Sequence, residues 1–292
     1  MNKAAAWIAK RGAWYRIGVF LLLLALAWLP VAVAVYWPEG LFYGSGAAEI
    51  VALALVYAGF LIGLPVWGRY VHRWKRPFWH CGLRLQPQFL RDLALALMIG
   101  VLGVFSLFGV ETLLGWAVPV APGPRLGQFI VEGLLMALAV GFAEEMLFRG
   151  WVLAELEKDY SSRAALVMDA LFFASTHFIK PWSEIVRTLP QFLGLVVLGL
   201  ALVWARRSPT AQSGGKRLTR LGYPVGLHAG LIWGYYIVNV GKLSEYTGRV
   251  PEWVTGIDRN PLAGLLGLGL LAAIASQFAI AAQPKATNAK QT

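Results

Sequence analysis

The sequence predicts an all-α, polytopic integral membrane protein with about eight transmembrane helices. Of the 292 residues, 58% are hydrophobic and 14% are charged, and the mean hydropathy is +0.60. This balance lies outside the range usual for soluble domains. Several apolar stretches approach the roughly 20 residues that a helix needs to cross a bilayer. The 13 Trp and 10 Tyr residues suit aromatic belts at the two membrane surfaces.

The eight predicted spans follow one another along the chain. Their approximate bounds are 17–37, 50–67, 93–114, 129–157, 163–178, 188–205, 224–240 and 262–281. The first span contains Ala32-Val33-Ala34, which resembles a signal-peptidase site, but its length and the spans that follow favour a retained helix. The chain thus divides into an N-terminal membrane region with three spans (1–128), a core of four spans (129–240), an outer loop and final span (241–281) and a polar tail (282–292).

The distribution of charge predicts the orientation. The formal net charge is +11, and the most basic loop is 69–91. With eight spans and a cytoplasmic N-terminus, the inner segments hold 20 of the 26 Lys and Arg residues. The positive-inside rule then places both termini in the cytoplasm and the protein in the plasma or inner membrane. The same charge indicates contact with the lipid bilayer and not with nucleic acid. A single cysteine, Cys81, excludes an intrachain disulfide.

Two adjacent carboxylates and an arginine form the candidate site of the fourth span. In a helix, Glu145 and Arg149 are spaced i, i+4 and can form an ion pair, whereas Glu144 points about 100° away. Ionised groups in an apolar span are costly unless they are paired or face a polar cavity, so their presence indicates function. A carboxylate such as Glu144 suits general-base catalysis. The alternative is a helix end where these side chains meet lipid headgroups.

Two of the four histidines lie in apolar helices. His177 and His228, together with the glutamate pair, predict one convergent site. His72 and His80 lie in the basic loop, where we expect solvated or interfacial side chains.

Other residues of the spans favour structural roles. The small-residue ridge Gly226, Gly230 and Gly234 predicts close helix packing with His228 turned away from it. We expect Asp169 and Glu132 to be structural or water-exposed.

The residue types suit hydrolysis of an amide bond. Water activated by Glu144, with a histidine stabilising the oxyanion, would need no metal. Alternatively Glu144, His177 and His228 could hold zinc, which would activate the water. No cofactor is firmly implied, because the H-E-x-x-H zinc signature is absent and spacing does not separate the two mechanisms.

At these residues the chain resembles the CAAX prenyl proteases and bacteriocin-processing membrane proteases, also called the abortive-infection domain family. The family motifs E-E-x-x-x-R, F-x-x-x-H and H-x-x-x-N/D are matched by Glu144, Glu145 and Arg149, by Phe173 and His177, and by His228 alone. The similar region runs over about 129–240, and the eight-span layout also agrees with the family.

The resemblance implies an intramembrane endopeptidase with a conical active-site cavity that cuts near the cytoplasmic face. It implies that Glu144 activates water, that His177 positions it and that His228 contributes to the oxyanion site, with Glu145 and Arg149 in support. The implied substrate is a membrane-anchored or lipidated peptide, prenylated in part of the family. Many members are labelled metalloproteases, but we favour a glutamate mechanism.

One departure from the family bears on activity. Ile232 stands where the third motif has Asn or Asp and cannot donate to an oxyanion. Losing one such donor typically costs about 10²–10³ in rate, unless Trp233 or Tyr235 substitutes. The alternative function is a catalytically silent scaffold or immunity-type binding protein of the same fold. A proton-coupled transporter is a third hypothesis, but the inverted repeats typical of transporters are not visible.

Overall fold

Helices dominate this computed structural model, which describes residues 3–36, 47–208, 212–213, 216–217 and 220–283. The helices are α1 Lys3–Ala9, α2 Ala13–Tyr36, α3 Ala47–Tyr70, α4 Pro77–His80, α5 Pro87–Leu113, α6 Leu126–Glu145, α7 Leu153–Asp159, α8 Ser162–Thr176, α9 Trp182–Thr188, α10 Gln191–Arg207, α11 Gly222–Val240, α12 Glu252–Thr255 and α13 Leu265–Ala282. The prediction of an all-α membrane protein is therefore confirmed.

Each predicted span coincides with a long helix, but the helices differ in their capacity to cross a bilayer. Within the described residues, five are long and apolar enough. They are Ala13–Tyr36, Ile50–Tyr70, Pro87–Leu113, Leu126–Asp159 and Leu265–Ala282. The count reaches six if α9 and α10, bent by 74° at their junction, form one broken span. The count of eight stays a prediction, because α8, with 15 residues, is only about 22 Å long.

The helix that carries the glutamate pair changes its pitch directly after it. A π-helical segment, Met146–Val152, joins α6 to α7, so the helical path extends to Asp159 and slightly beyond the predicted end at 157. Such π segments are rare and occur frequently at functional sites, because they widen one turn and redirect the side chains that follow.

The short elements were not predicted from the sequence. Strand β1, Ala117–Pro119, pairs antiparallel with β4, Ser244–Tyr246, and strands β2 and β3, Gln212–Ser213 and Lys216–Arg217, form a second pair. Strands of two or three residues are too short to show an alternating hydrophobic pattern. Parts of the predicted 206–222 loop and of the tail (209–211, 214–215, 218–219 and 284–292) lie outside the described residues.

The described chain forms two compact units. One comprises Met1–Leu83 and Gly150–Ser162, and the other comprises Arg84–Arg149 and Arg163–Thr292. In the second unit, α11 packs against α5, α6 and α10, and α10 packs against α13. Its core is built from aromatic and aliphatic side chains of these helices and of α8, and α11 is therefore surrounded by the other helices.

The predicted glycine ridge of α11 faces α5. A Cβ atom at Gly226 or Gly230 would lie 2.2 Å from the carbonyl oxygen of Leu93 or Leu97. No side chain fits at that distance, so the backbones of the two helices are in direct contact. The packing role predicted for this ridge is confirmed, and His228 is free to face α6.

His72 is not solvated, which corrects the sequence-based expectation. Its side chain is 0% exposed, and Nε2 lies 2.5 Å from Oε1 of Glu155. Glu155 is itself buried and also accepts hydrogen bonds from Arg16 Nε at 2.7 Å and Trp67 Nε1 at 2.9 Å. A buried carboxylate needs such partners, and folding recruits them from segments distant in sequence. His80 is exposed, as expected.

Candidate active site

The three sequence motifs converge at the ends of α6 and α8 and near the start of α11. Oε2 of Glu144 lies 3.9 Å from Nε2 of His177 and 4.0 Å from Nε2 of His228. The side chains of Glu144 and His177 are 29% and 34% exposed, whereas that of His228 is 8% exposed. A carboxylate and two imidazoles thus face one another at a site that is partly open to solvent.

The spacing around Glu144 suits a bound water molecule. Its buried Oε2 atom accepts no hydrogen bond from any residue that the structure describes. Polar atoms separated by about 4 Å are too distant for a direct hydrogen bond but can be bridged by one water. Such a water would contact the carboxylate and an imidazole nitrogen at once.

Each histidine is held in its orientation through Nδ1, the ring nitrogen that does not face Glu144. Nδ1 of His177 lies 2.9 Å from the carbonyl oxygen of Phe173, and Nδ1 of His228 lies 2.8 Å from Oε1 of Glu145. Both partners are acceptors, so each Nδ1 donates a hydrogen bond. In the neutral tautomer Nε2 then carries the lone pair, and in both rings it faces Glu144. Glu144 and Glu145 therefore occupy different positions, with only Glu144 facing the water site.

Glu145 belongs to a buried network beneath the site. Nη1 of Arg149 donates to its Oε1 at 3.0 Å, so the predicted i, i+4 ion pair is present. Arg149 is completely buried, and Nη2 donates to the carbonyl oxygen of Gly199 at 3.3 Å. The guanidinium carbon lies 4.2 Å from the centre of the Phe173 ring. Arg149 therefore connects the first two motifs and holds Glu145 against His228.

Asp169 is part of this network, although sequence reasoning assigned it no place in the site. It is completely buried, and Oδ2 lies 3.4 Å from Nε of Arg149. The signal that was available is its spacing: Asp169, Phe173 and His177 are four residues apart and form one ridge of α8. Glu132, in contrast, is exposed and accepts a hydrogen bond from Gln128 at 2.7 Å, which agrees with expectation.

The distances between Glu144, His177 and His228 differ from those expected for three ligands of one zinc ion. Two atoms bound to one tetrahedral zinc at about 2.1 Å lie about 3.4 Å apart. Glu144 lies 3.9 and 4.0 Å from His177 and His228. Among the described residues, no group of three or more His, Cys, Asp or Glu could hold a metal ion. The site as arranged here therefore does not fit zinc.

A cavity of about 360 Å³ opens beside the histidines. Its wall is mostly apolar, and its polar contributors besides the histidines are Lys180, Gln191, Tyr235 and Asn260. Ile232 also lines it, so the residue that departs from the family motif lies in the wall of the site. The cavity is large enough to hold a short peptide segment next to the two histidines.

Trp233 and Tyr235, the two residues that could donate to the oxyanion in place of the missing Asn or Asp, differ in their position relative to the cavity. Trp233 donates Nε1–H to the carbonyl oxygen of Ile130 at 2.9 Å and is engaged in helix packing. Tyr235 lines the cavity, and its hydroxyl accepts a hydrogen bond from the amide of Asn239, which leaves the hydroxyl proton to donate. Asn260 is a third candidate, because it lines the cavity and its Oδ1 accepts from Leu262 N at 3.1 Å, which leaves the amide group as a donor.

Comparisons with known proteins agree with the motifs. Residues 126–243 match the family model described as type II CAAX prenyl endopeptidase, Rce1-like. No curated protein and no solved structure matches the chain. The matched segment extends from the start of α6 to just beyond the end of α11 and contains Glu144, Glu145, Arg149, His177 and His228. Over this segment the chain is therefore similar to the Rce1-like type II CAAX prenyl endopeptidases.

Proposed function

We propose that the protein is an intramembrane endopeptidase in which Glu144 activates the attacking water. The observation that carries this proposal is the arrangement of Glu144 opposite two imidazole Nε2 atoms, each held in place through its Nδ1 atom. Within the cavity that begins there, a peptide carbonyl can approach the water from the side opposite to the carboxylate.

The proposed reaction gives each of these groups a role in proton transfer. Glu144, ionised, takes a proton from water as the water oxygen attacks the carbonyl carbon. Neutral His177 accepts the second water proton in a hydrogen bond and orients the nucleophile, and His228, when protonated, donates to the oxyanion. The tetrahedral intermediate then collapses, the C–N bond breaks, and Glu144 returns its proton to the leaving amine.

Glu145 and Arg149 act through His228. Glu145 accepts the Nδ1 hydrogen of His228 and orients the ring, while Arg149 donates to Glu145 and holds it in position. Their roles are positioning and electrostatic support, and neither carboxylate oxygen of Glu145 needs to touch the substrate.

The substrate is a membrane-anchored or lipidated protein. The family acts on prenylated or membrane-associated proteins, and the apolar cavity wall suits an apolar peptide segment. The excess of Lys and Arg in the segments predicted to face inward supports cytoplasmic termini and cleavage near the cytoplasmic face of the plasma or inner membrane.

Peptide cleavage by the purified protein in liposomes tests the proposal. Glu144→Gln and Glu144→Ala should each lower kcat by about 10²–10⁴, the usual contribution of a general base. Glu132→Gln, which changes an exposed acid of the same helix, serves as the control and should retain full activity. Activity of both Glu144 variants equal to that of the unchanged protein would show that Glu144 is not the base.

Each assay is repeated with a metal chelator. Activity that is unaffected by the chelator supports the glutamate mechanism. Loss of activity that zinc restores would instead favour a metal-dependent reaction with Glu144, His177 and His228 as ligands after rearrangement.

A second candidate function is a catalytically silent membrane scaffold. Ile232 favours it, because it removes one expected oxyanion donor from the cavity wall. Tight binding of membrane-anchored peptides without cleavage, and equal binding by the Glu144 variants, would identify the scaffold.

A further inference from the structure

An apolar slot lies between α2 and α3, in the unit that does not contain the candidate active site. Its volume is about 270 Å³. It is lined by Phe20, Leu23, Leu24, Ala27, Gly59, Gly63, Val66, Trp67, Tyr70 and Val71. A Cβ atom at Gly59 or Gly63 would lie 3.3 or 3.4 Å from Leu24 or Phe20. The two glycines therefore line the slot and let the side chains of Leu24 and Phe20 approach the backbone of α3.

The slot ends beside basic and aromatic side chains. Tyr70, the last residue of α3, is 67% exposed, and Arg69 beside it is also exposed. Arg73 follows two residues after Val71 and is exposed as well. The slot is therefore apolar along its length and is lined at one end by Tyr70, with Arg69 and Arg73 close by in sequence. This order of polarity matches a phospholipid, which has an acyl chain at one end and a phosphate at the other.

The same end of this unit has a large excess of positive charge. Helices α2 and α3 run antiparallel, because Phe20 lies beside Gly63 and Trp28 lies beside Ala52. The start of α2 therefore lies near the end of α3. The exposed cations near these two ends are Lys3, Lys10, Arg11, Arg69, Arg73, Lys75, Arg76 and Lys158. Three acids lie there, and one of them, Glu155, is buried and bonded to Arg16.

We propose that the slot is a binding site for one anionic phospholipid. One acyl chain lies along Gly59 and Gly63, and the headgroup phosphate accepts hydrogen bonds from Arg69, Arg73 and the Tyr70 hydroxyl. Arginine provides the paired donors that match phosphate geometry. A zwitterionic lipid would leave the charge excess uncompensated, so the site selects for net negative charge. This site is independent of the peptidase proposal.

Native mass spectrometry of the full-length protein in detergent tests the site without any measurement of turnover. The protein is titrated with dioleoylphosphatidylglycerol and, separately, with dioleoylphosphatidylcholine. We expect one tightly held phosphatidylglycerol per chain and at least tenfold weaker binding of phosphatidylcholine. Each arginine near an anionic headgroup contributes about 1 kcal/mol, or about fivefold in affinity. The double variant Arg69→Gln with Arg73→Gln should therefore bind about 25-fold more weakly.

Two further variants separate the slot from general charge. Ala27→Phe fills the slot from an exposed position of α2 without changing any charge and should also remove the tightly held lipid. Arg125→Gln with Arg249→Gln removes two exposed cations of the other unit and should leave binding unchanged. Unchanged thermal unfolding of each variant shows that the fold is retained.

Three results would overturn the proposal. These are equal affinity for the two lipids, full binding by the Arg69 and Arg73 double variant, or full binding by Ala27→Phe. Displacement of phosphatidylglycerol by an equimolar farnesylated peptide would also overturn it and would assign the slot to a substrate's prenyl chain.

Discussion

At the scale of single residues, Glu144 and Glu145 are neighbours in sequence that folding places in different environments. Glu144 is partly exposed and faces two imidazole nitrogens, whereas Glu145 is completely buried and bonded to Arg149 and His228. A helix turns about 100° per residue, so adjacent carboxylates point in different directions, and here they approach opposite nitrogens of the His228 ring. The division into one reacting acid and one supporting acid follows from this geometry.

Asp169 is expected to be a positioning residue. Asp169→Asn keeps the shape of the side chain but removes the negative charge next to Arg149. Removing one partner of a buried ion pair typically costs about 3–5 kcal/mol, and Arg149 would shift relative to Glu145. We therefore expect a lower thermal unfolding temperature together with a fall in kcat that exceeds any change in KM.

The control for Asp169 is Glu132→Gln, which should alter neither quantity. Asp169→Glu, which restores the charge with a longer side chain, should recover part of the lost kcat. A variant Asp169→Asn with normal stability and normal kcat would remove Asp169 from the network.

Ile232 is the second residue whose role can be measured. Ile232→Asn restores the donor of the third family motif in the wall of the cavity. If the oxyanion lacks a donor, kcat should rise, by as much as about 10²–10³. Ile232→Leu, which conserves volume and polarity, should leave kcat unchanged.

An unchanged kcat in Ile232→Asn would mean that another donor already serves the oxyanion. Tyr235→Phe then becomes the informative variant, because it removes the only hydroxyl of the cavity wall that the structure describes.

At the scale of secondary-structure elements, apolar composition and length predicted the long helices to within a few residues in most cases. Each long helix is a continuous apolar stretch bounded by charged or helix-breaking residues, which are local properties of the chain. The π segment after Glu145, the bend between α9 and α10 and the β1–β4 pair depend on packing between distant segments. No pattern of neighbouring residues in the sequence predicts these three features.

Some residues of the candidate site, but not all of them, could also be predicted from the sequence. His177 and His228 were identifiable because ionisable groups in apolar helices are rare. Asp169 has the same signature, yet its partner Arg149 lies on another helix, so its burial depends on how α6 and α8 pack. His72 was misinterpreted for a related reason. A histidine in a basic loop is expected to be solvated, but the side chain of His72 is buried against that of Glu155.

The contact between α5 and α11 provides a direct test at this scale. A Cβ at Gly230 would lie 2.2 Å from the carbonyl oxygen of Leu97, which is backbone and cannot rotate away. Gly230→Ala should therefore push the helices apart and cost about 1–3 kcal/mol of the free energy of unfolding, as overpacked cores do. Reversible denaturation in detergent measures this change.

The matched control lies on α5. A Cβ at Gly109 would have nothing within 4 Å, so Gly109→Ala should be neutral or slightly stabilising, since alanine favours helix. Equal unfolding free energies for Gly230→Ala and Gly109→Ala would contradict the tight contact.

At the scale of the whole molecule, the number of membrane-spanning helices determines which side of the membrane the candidate active site faces. Eight crossings place Glu144 and His228 toward the cytoplasmic half. That count requires the 15-residue α8 and also α11 to cross. Among the described residues, five helices, or six with the bent pair counted as one span, are long and apolar enough to cross. The orientation of α8 is therefore the point on which the cytoplasmic site of cleavage depends.

Cysteine labelling across α8 measures this orientation. Arg163, at the start of α8, and Trp182, the first residue of α9, are both exposed, and each is replaced by cysteine in turn. In sealed vesicles with a known orientation, a membrane-impermeant maleimide should reach Arg163→Cys only from the cytoplasmic side and Trp182→Cys only from the opposite side. The native Cys81 is buried, so the unchanged protein should remain unlabelled and serves as the blank. Labelling of both positions from one side would show that α8 does not cross, and His177 would then approach Glu144 from the same membrane surface.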